Sequence, residues 1–200
     1  MKFQRYFVHC LSVIACLLIF SSGPASSDNS KGSGNKTVMT LSFAGIDYLH
    51  RWSKDGQNEF TPQSDKDLAT WREMVTINVH QKVNDEDQLA ELANRVLSNY
   101  QNYGKVLRID SKPRTGERPA EHLMVAVLSE RTLLEVAFAR VILTNRVGIV
   151  AVYSHRVYGS QAGPEMSNWL KMNGTRVEKA LMAWDKVPTA AALQKLPQSR

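Results

Sequence analysis

Four histidines lie beyond residue 25, His50, His80, His122 and His155, and their surroundings decide what chemistry the chain can offer. None stands in an H-E-x-x-H pattern or two apart along a strand. A zinc site would therefore need ligands brought together from distant parts of the chain. Two histidines sit beside charges, in Glu121-His122 and His155-Arg156. If the strands carrying them flank the central long strand, both pairs fall near the same sheet end, with Arg140 and Tyr158 in reach. A carboxylate, an imidazole and a guanidinium at one rim can bind an anionic ligand or move a proton. An ordinary polar sheet end uses the same residue types.

Two further groups suit recognition rather than catalysis. His50-Arg51-Trp52-Ser53-Lys54 lies in a long, turn-rich segment, and an aromatic beside an arginine on a loop is what interface hot spots use. Stapling of that loop to the domain by Trp52 is the plainer reading. The run from Lys112 to Pro119 is stiffened by Pro113 and Pro119 and carries Arg114 and Arg118, so it can meet an anionic surface or a protein. The expectation is a non-catalytic binding or accessory module, of inhibitor or immunity type, whose working surface joins Arg51 and Trp52 to Arg114 and Arg118. The alternative is an enzyme or small-ligand carrier using Glu121, His122, Arg140, His155, Arg156 and Tyr158. No cofactor, metal or nucleic acid is expected, and the partner is expected to be a protein of the cell envelope.

Motifs for phosphate or acyl chemistry fail on context. Gly32-Ser33-Gly34-Asn35-Lys36-Thr37 lacks the glycine before Lys-Thr that lets backbone wrap a phosphate, and no strand precedes it. Ser33 to Lys36 fits S-x-x-K without the helix that would fix a nucleophile against its base.

Both cysteines, Cys10 and Cys16, fall in the N-terminal stretch. Lys2 and Arg5 precede an apolar run from Cys10 to Phe20, and small residues follow from Ser21 to Ser27. That order is the pattern of a secretory signal, cut most simply after Ala25. The apolar run is well short of the ~20 residues that span a bilayer. Val13-Ile14-Ala15-Cys16 also has the look of a lipobox, though Leu17 to Phe20 continue apolar where lipoproteins turn polar; an uncleaved anchor is the third reading. With cleavage no thiol survives, so disulfide and thiolate chemistry go together. The expected location is periplasmic or secreted, with no transmembrane span in the mature chain.

Loss of residues 1–25 removes Lys2 and Arg5 from a formal net charge of +6, leaving a mildly basic chain with mixed charges. A nucleic-acid binder would show a dense basic stripe with interleaved aromatics, and none is present. Residues 26–37 are Ser, Gly, Asn and Lys with nothing to bury and read as a flexible leader. Residues 38–185 read as one domain and 186–200, with Pro188 and Pro197, as a weakly ordered tail.

The elements that must position these groups follow from periodicity. Val38 to Ala44 and Trp71 to His80 read as strands, with Trp71, Val75, Ile77 and Val79 on one face. Asp55-Gly56 is a hairpin signal. Leu89, Leu92, Ala93, Val96, Leu97 and Tyr100 form one stripe of a helix over Asp85 to Tyr103, with Gly104 as a left-handed stop. After a short strand at Val106 to Asp110, the segments Leu123 to Leu128, Leu133 to Leu143 and Ile149 to Tyr158 are joined by links too short for parallel crossovers. Both parities of these strands are apolar, so the sheet needs cover on both faces. Pro164 to Trp184 supplies the second helix, with Asn173-Gly174 a candidate break. The expected fold class is α+β, an antiparallel sheet with helices covering both faces in three layers.

That element order resembles the PsbP/Mog1-like fold. The strings His50-Arg51-Trp52-Ser53, Glu59-Phe60-Thr61-Pro62, Trp71 and Met74-Val75-Thr76-Ile77-Asn78 resemble small exported bacterial proteins of no assigned activity. The resemblance implies a binding or accessory role, as in photosystem assembly factors and a nuclear-transport cofactor of that fold. It carries over no site residue.

Overall fold

Three tight turns set the register of the sheet in the computed structural model, which describes residues 39–130 and 133–199. The expected signal peptide over 1–25, the expected leader over 26–37 and the first residue of the expected first strand, Val38, lie outside the described residues. Ala44-Gly45, Asp55-Gly56 and Asn145-Arg146 all have positive φ. Two such residues in succession make the hairpin turn whose twist matches its flanking strands. They join β1 (Thr40–Phe43) to β2 (Ile46–Lys54), β2 to β3 (Gln57–Pro62), and β7 (Leu133–Thr144) to β8 (Val147–Tyr158). A Cβ on Gly56 would lie 2.8 Å from the Val79 carbonyl oxygen, so both φ and space require glycine there.

With β4 (Glu73–His80), β5 (Gly104–Lys112) and β6 (Glu121–Glu130), the described residues form one antiparallel sheet of eight strands, in the order β1-β2-β3-β4-β8-β7-β6-β5. The molecule is α+β. Helix α1 (Glu86–Tyr103) starts where the Asp85 carboxylate accepts from Gln88 N–H at 2.8 Å. It stops without a left-handed residue: Gly104 is extended and opens β5 directly. Glycine is needed there for another reason, because a Cβ would lie 2.4 Å from the Val127 carbonyl oxygen of β6.

Helix α2 (Ala162–Met182) runs unbroken through Asn173-Gly174, where Asn173 donates to the Trp169 carbonyl instead of ending the helix. Its Met166, Val177 and Leu181 join Leu123, Val125, Phe138, Ala151 and Tyr153 in one apolar cluster. The opposite parity of the same strands, Met124, Ala126, Ala137, Ala139, Val150 and Val152, joins Leu89, Leu92 and Val96 of α1 in another. Trp71 precedes β4, so strand alternation does not extend to it, and its ring lies under Arg156 instead.

The end of the chain also departs from expectation. A weakly ordered tail is the expectation for residues 186–200; among the described residues α3 (Ala190–Leu193) is capped by Thr189, and Leu193 and, beyond the helix, Leu196 are buried. Ser199 N–H then donates to the Ser53 carbonyl at 2.7 Å. Two leucines one turn apart supply apolar surface enough to hold a short segment down. Among the described residues no helix is long and apolar enough to cross a membrane.

Candidate functional site

The residues expected to form one binding surface stand far apart. Arg51 and Trp52 lie on β2, not on a loop, at a bulge where pairing with β3 shifts between His50 and Trp52. The Arg51 guanidinium donates to Thr61 Oγ1 at 2.9 Å and to the Pro62 carbonyl at 3.1 Å, so it is tied to β3. Arg114 and Arg118 sit in the β5–β6 link at the other edge. Six strand spacings between β2 and β5 amount to about 29 Å across the sheet. Arg114 meets Glu86 of α1 at 2.7 Å; Arg118 has no ion-pair partner among the described residues.

The alternative cluster is also divided. His122 pairs across β7 with Val141 and so with Val150 of β8, whereas His155 stands opposite Val136, roughly 17 Å further along the strands. Successive strand residues point to opposite faces, so Glu121 parts from His122 and His155 from Arg156. Adjacency in sequence therefore separates these side chains.

Each half has an internal task. Arg140 bonds the Glu121 carboxylate at 2.8 Å and donates to the Leu181 and Trp184 carbonyls at 2.9 and 2.7 Å. Leu181 lies in the last turn of α2 and Trp184 just beyond it, so the cation satisfies carbonyls at the helix end and suits its negative pole. Lys112 adds a bond to the Met182 carbonyl at 2.6 Å. At the other end, Arg156 and Glu135 form a buried ion pair of 2.8 Å, with the guanidinium 3.8 Å over the Trp71 ring. Burial pushes the Glu135 carboxyl up, against the pull of Arg156. Tyr158 donates to the Trp71 carbonyl at 2.7 Å, and His122 Nδ1 meets Ser111 Oγ at 2.9 Å. Burial lowers the His122 pKa.

Two polar groupings were not visible in the sequence. His50 Nε2 lies 2.7 Å from Ser53 Oγ, the spacing of a base and nucleophile. Ser53 is 0% exposed and its hydroxyl donates to Asn58 Oδ1 at 2.7 Å, so it cannot meet a substrate. Tyr48 donates to Glu73 Oε2 at 3.2 Å, and Tyr153 also bonds Glu73. Burial and then the Glu73 charge push both phenols up. The carboxylate is held by two donors from β2 and β8, which fixes the sheet. The sequence signal for this grouping is Glu73, which breaks the apolar alternation near the start of its strand. Among the described residues, no group of three or more His, Cys, Asp or Glu is placed to hold a metal ion.

Among the described residues β1 and β5 are the outer strands of the sheet, and exposed large apolar side chains gather at β5. Tyr103, Leu107 and Ile109 are 74%, 45% and 53% exposed and fall within one short stretch where α1 passes into the edge strand. On the same strand's α2 side a groove of about 280 Å³ runs between β5 and α2. Leu123 and Met182 line it with Arg108, Asp110, Lys112 and Lys179. The basic link carrying Arg114 and Arg118 leaves from the same strand.

No protein-family model matches the chain, and no curated protein matches it. Two solved structures are similar in fold. A Pseudomonas aeruginosa protein of unknown function aligns over 76% of this chain and 99% of its own, at 11% identity and a TM-score of 0.43. A mutant of protein Mog1 aligns over 73% of this chain and 92% of its own, at 12% identity and a TM-score of 0.45. The second bears the fold name that the element order resembles. At this level neither likeness carries an argument about activity.

Proposed function

We propose that this chain is an exported, non-catalytic binding module that acts on a protein partner in the cell envelope through the β5 edge and the basic link beside it. The observation that carries the reading is the concentration of exposed Tyr103, Leu107 and Ile109 at a sheet edge that is outermost among the described residues. Aromatic and aliphatic side chains exposed together are anchors for a partner, and cations at their rim steer its approach. The charged residues that suggested catalysis support the same reading, since Arg140 and Arg156 are spent on helix carbonyls and on Glu135.

The domain is read as three layers, with α1 and α2 on opposite faces of the sheet. The opposite strand parities of the two apolar clusters support this. With both faces covered, an edge is where sheet remains available. Export rests on the N-terminal sequence, and the intact mass of the protein recovered from the envelope tests it.

Affinity capture from envelope extract tests the function. Ile109→Lys with Leu107→Lys is expected to abolish capture without lowering the Tm. Arg118→Ala should weaken it more at low salt than at high salt. Retained capture in the double lysine variant would overturn the reading.

A further inference from the structure

We propose that β5 receives an extended, acidic segment of the partner as an added antiparallel strand, with one of its side chains seated in the groove between β5 and α2. This rests on the protein-binding reading of the same edge and adds how the partner docks. Among the described residues β5 pairs only with β6, so along its outer side every second residue presents backbone N–H and C=O groups without a described strand to meet them. The register with β6 jumps between Val106 and Arg108, so the regular stretch is Arg108 to Lys112. The groove borders that stretch.

The groove's size and ends select what enters. About 280 Å³ falls just below the range of small-molecule sites, yet accommodates one side chain. It is bridged at two points, by Arg108 to Glu178 at 3.2 Å and by Lys112 to the Met182 carbonyl at 2.6 Å. Between β5 and α2 its floor is Leu123, and Lys179 is the lining cation with no ion-pair partner among the described residues. Arg108 and Lys112 are already matched by Asp110, Glu178 and Glu121. The uncompensated charge is therefore positive, which selects a carboxylate on the α2 side of the incoming strand. Ile109 is exposed on the opposite face, so alternate residues of that strand should be apolar.

Fluorescence anisotropy with labelled octapeptides alternating Val and Glu, on the full chain, tests the docking. Saturable binding of the Val-Glu peptide is expected, about tenfold weaker for a Val-Lys peptide and for Lys179→Gln. Methylating the peptide nitrogens that face β5 should abolish binding, whereas methylating the alternate set should not. No saturation by about 1 mM, equal binding of Val-Lys, or equal effects of the two methylated sets would each overturn the proposal. So would sedimentation as a dimer that Ile109→Pro converts to a monomer, which would make a second copy the occupant. Failure of the peptides while capture still depends on Leu107 and Ile109 sinks the strand-addition proposal alone. Capture indifferent to those residues sinks the functional reading as well.

Discussion

His155 lies flat against Trp169, with ring centroids 4.1 Å apart and planes within 7° of parallel. The contact joins β8 to α2 and removes much of the imidazole from water. Its Nδ1 is buried without a hydrogen-bond partner among the described residues. Burial, and then the Arg72 charge, push the His155 pKa down to about 4.

That depression makes stability pH-dependent in one direction. The folded state holds His155 neutral, while the unfolded chain takes up a proton below its ordinary pKa of about 6.5. The contribution is complete above pH ~6.5 and is lost as pH falls toward ~4. His50, His80 and His122 shift the same way through burial, so the comparison must be with a variant. His155→Gln is expected to flatten the fall in Tm between pH 6.5 and 4. Parallel Tm profiles would show that His155 is not the group.

Helix α1 should be sensitive on one side only. Leu92 and Val96 are buried against the sheet, whereas Glu91 and Asn94 are exposed. Leu92→Ala is expected to cost roughly 2–5 kcal/mol in denaturant unfolding. Glu91→Ala or Asn94→Ala should stay within about 0.5 kcal/mol. Equal losses on the two sides would refute the packing.

The Glu135–Arg156 pair should show strong coupling. Arg156→Met leaves a buried carboxylate without its cation and is expected to cost about 3–5 kcal/mol. Adding Glu135→Leu removes the stranded charge and should recover most of that loss. A double variant as unstable as the single would mean that packing against Trp71, not charge, dominates.

The C-terminal segment should behave as part of the core. Leu193→Ala with Leu196→Ala is expected to cost at least about 2 kcal/mol, because both side chains are buried. Protease resistance at residues 187–199 should fall with it. An unchanged Tm would restore the reading of this segment as a loose tail.

Local periodicity and turn chemistry determined much of this protein. The helical stripe of α1, the Asp55-Gly56 turn and the antiparallel pairing of β6, β7 and β8 all follow from spacings within a few residues. Such features depend on backbone geometry and nearest neighbours, which a short stretch of sequence contains.

Convergence of side chains was decided elsewhere. Glu121 and His122 are neighbours in sequence and point to opposite faces, while Glu121 finds Arg140, and Arg140 finds Leu181 and Trp184, across long stretches of chain. Arg51 and Arg114 were separated by a strand order that no local pattern encodes. The open edge of β5 exists because the chain places β8 and β7 inside the sheet and leaves β5 outermost. Strand order is chosen by the total burial of the apolar surfaces and the pairing of all edges at once. That sum is a property of the folded whole, so the edge available to a partner appears only in the tertiary structure.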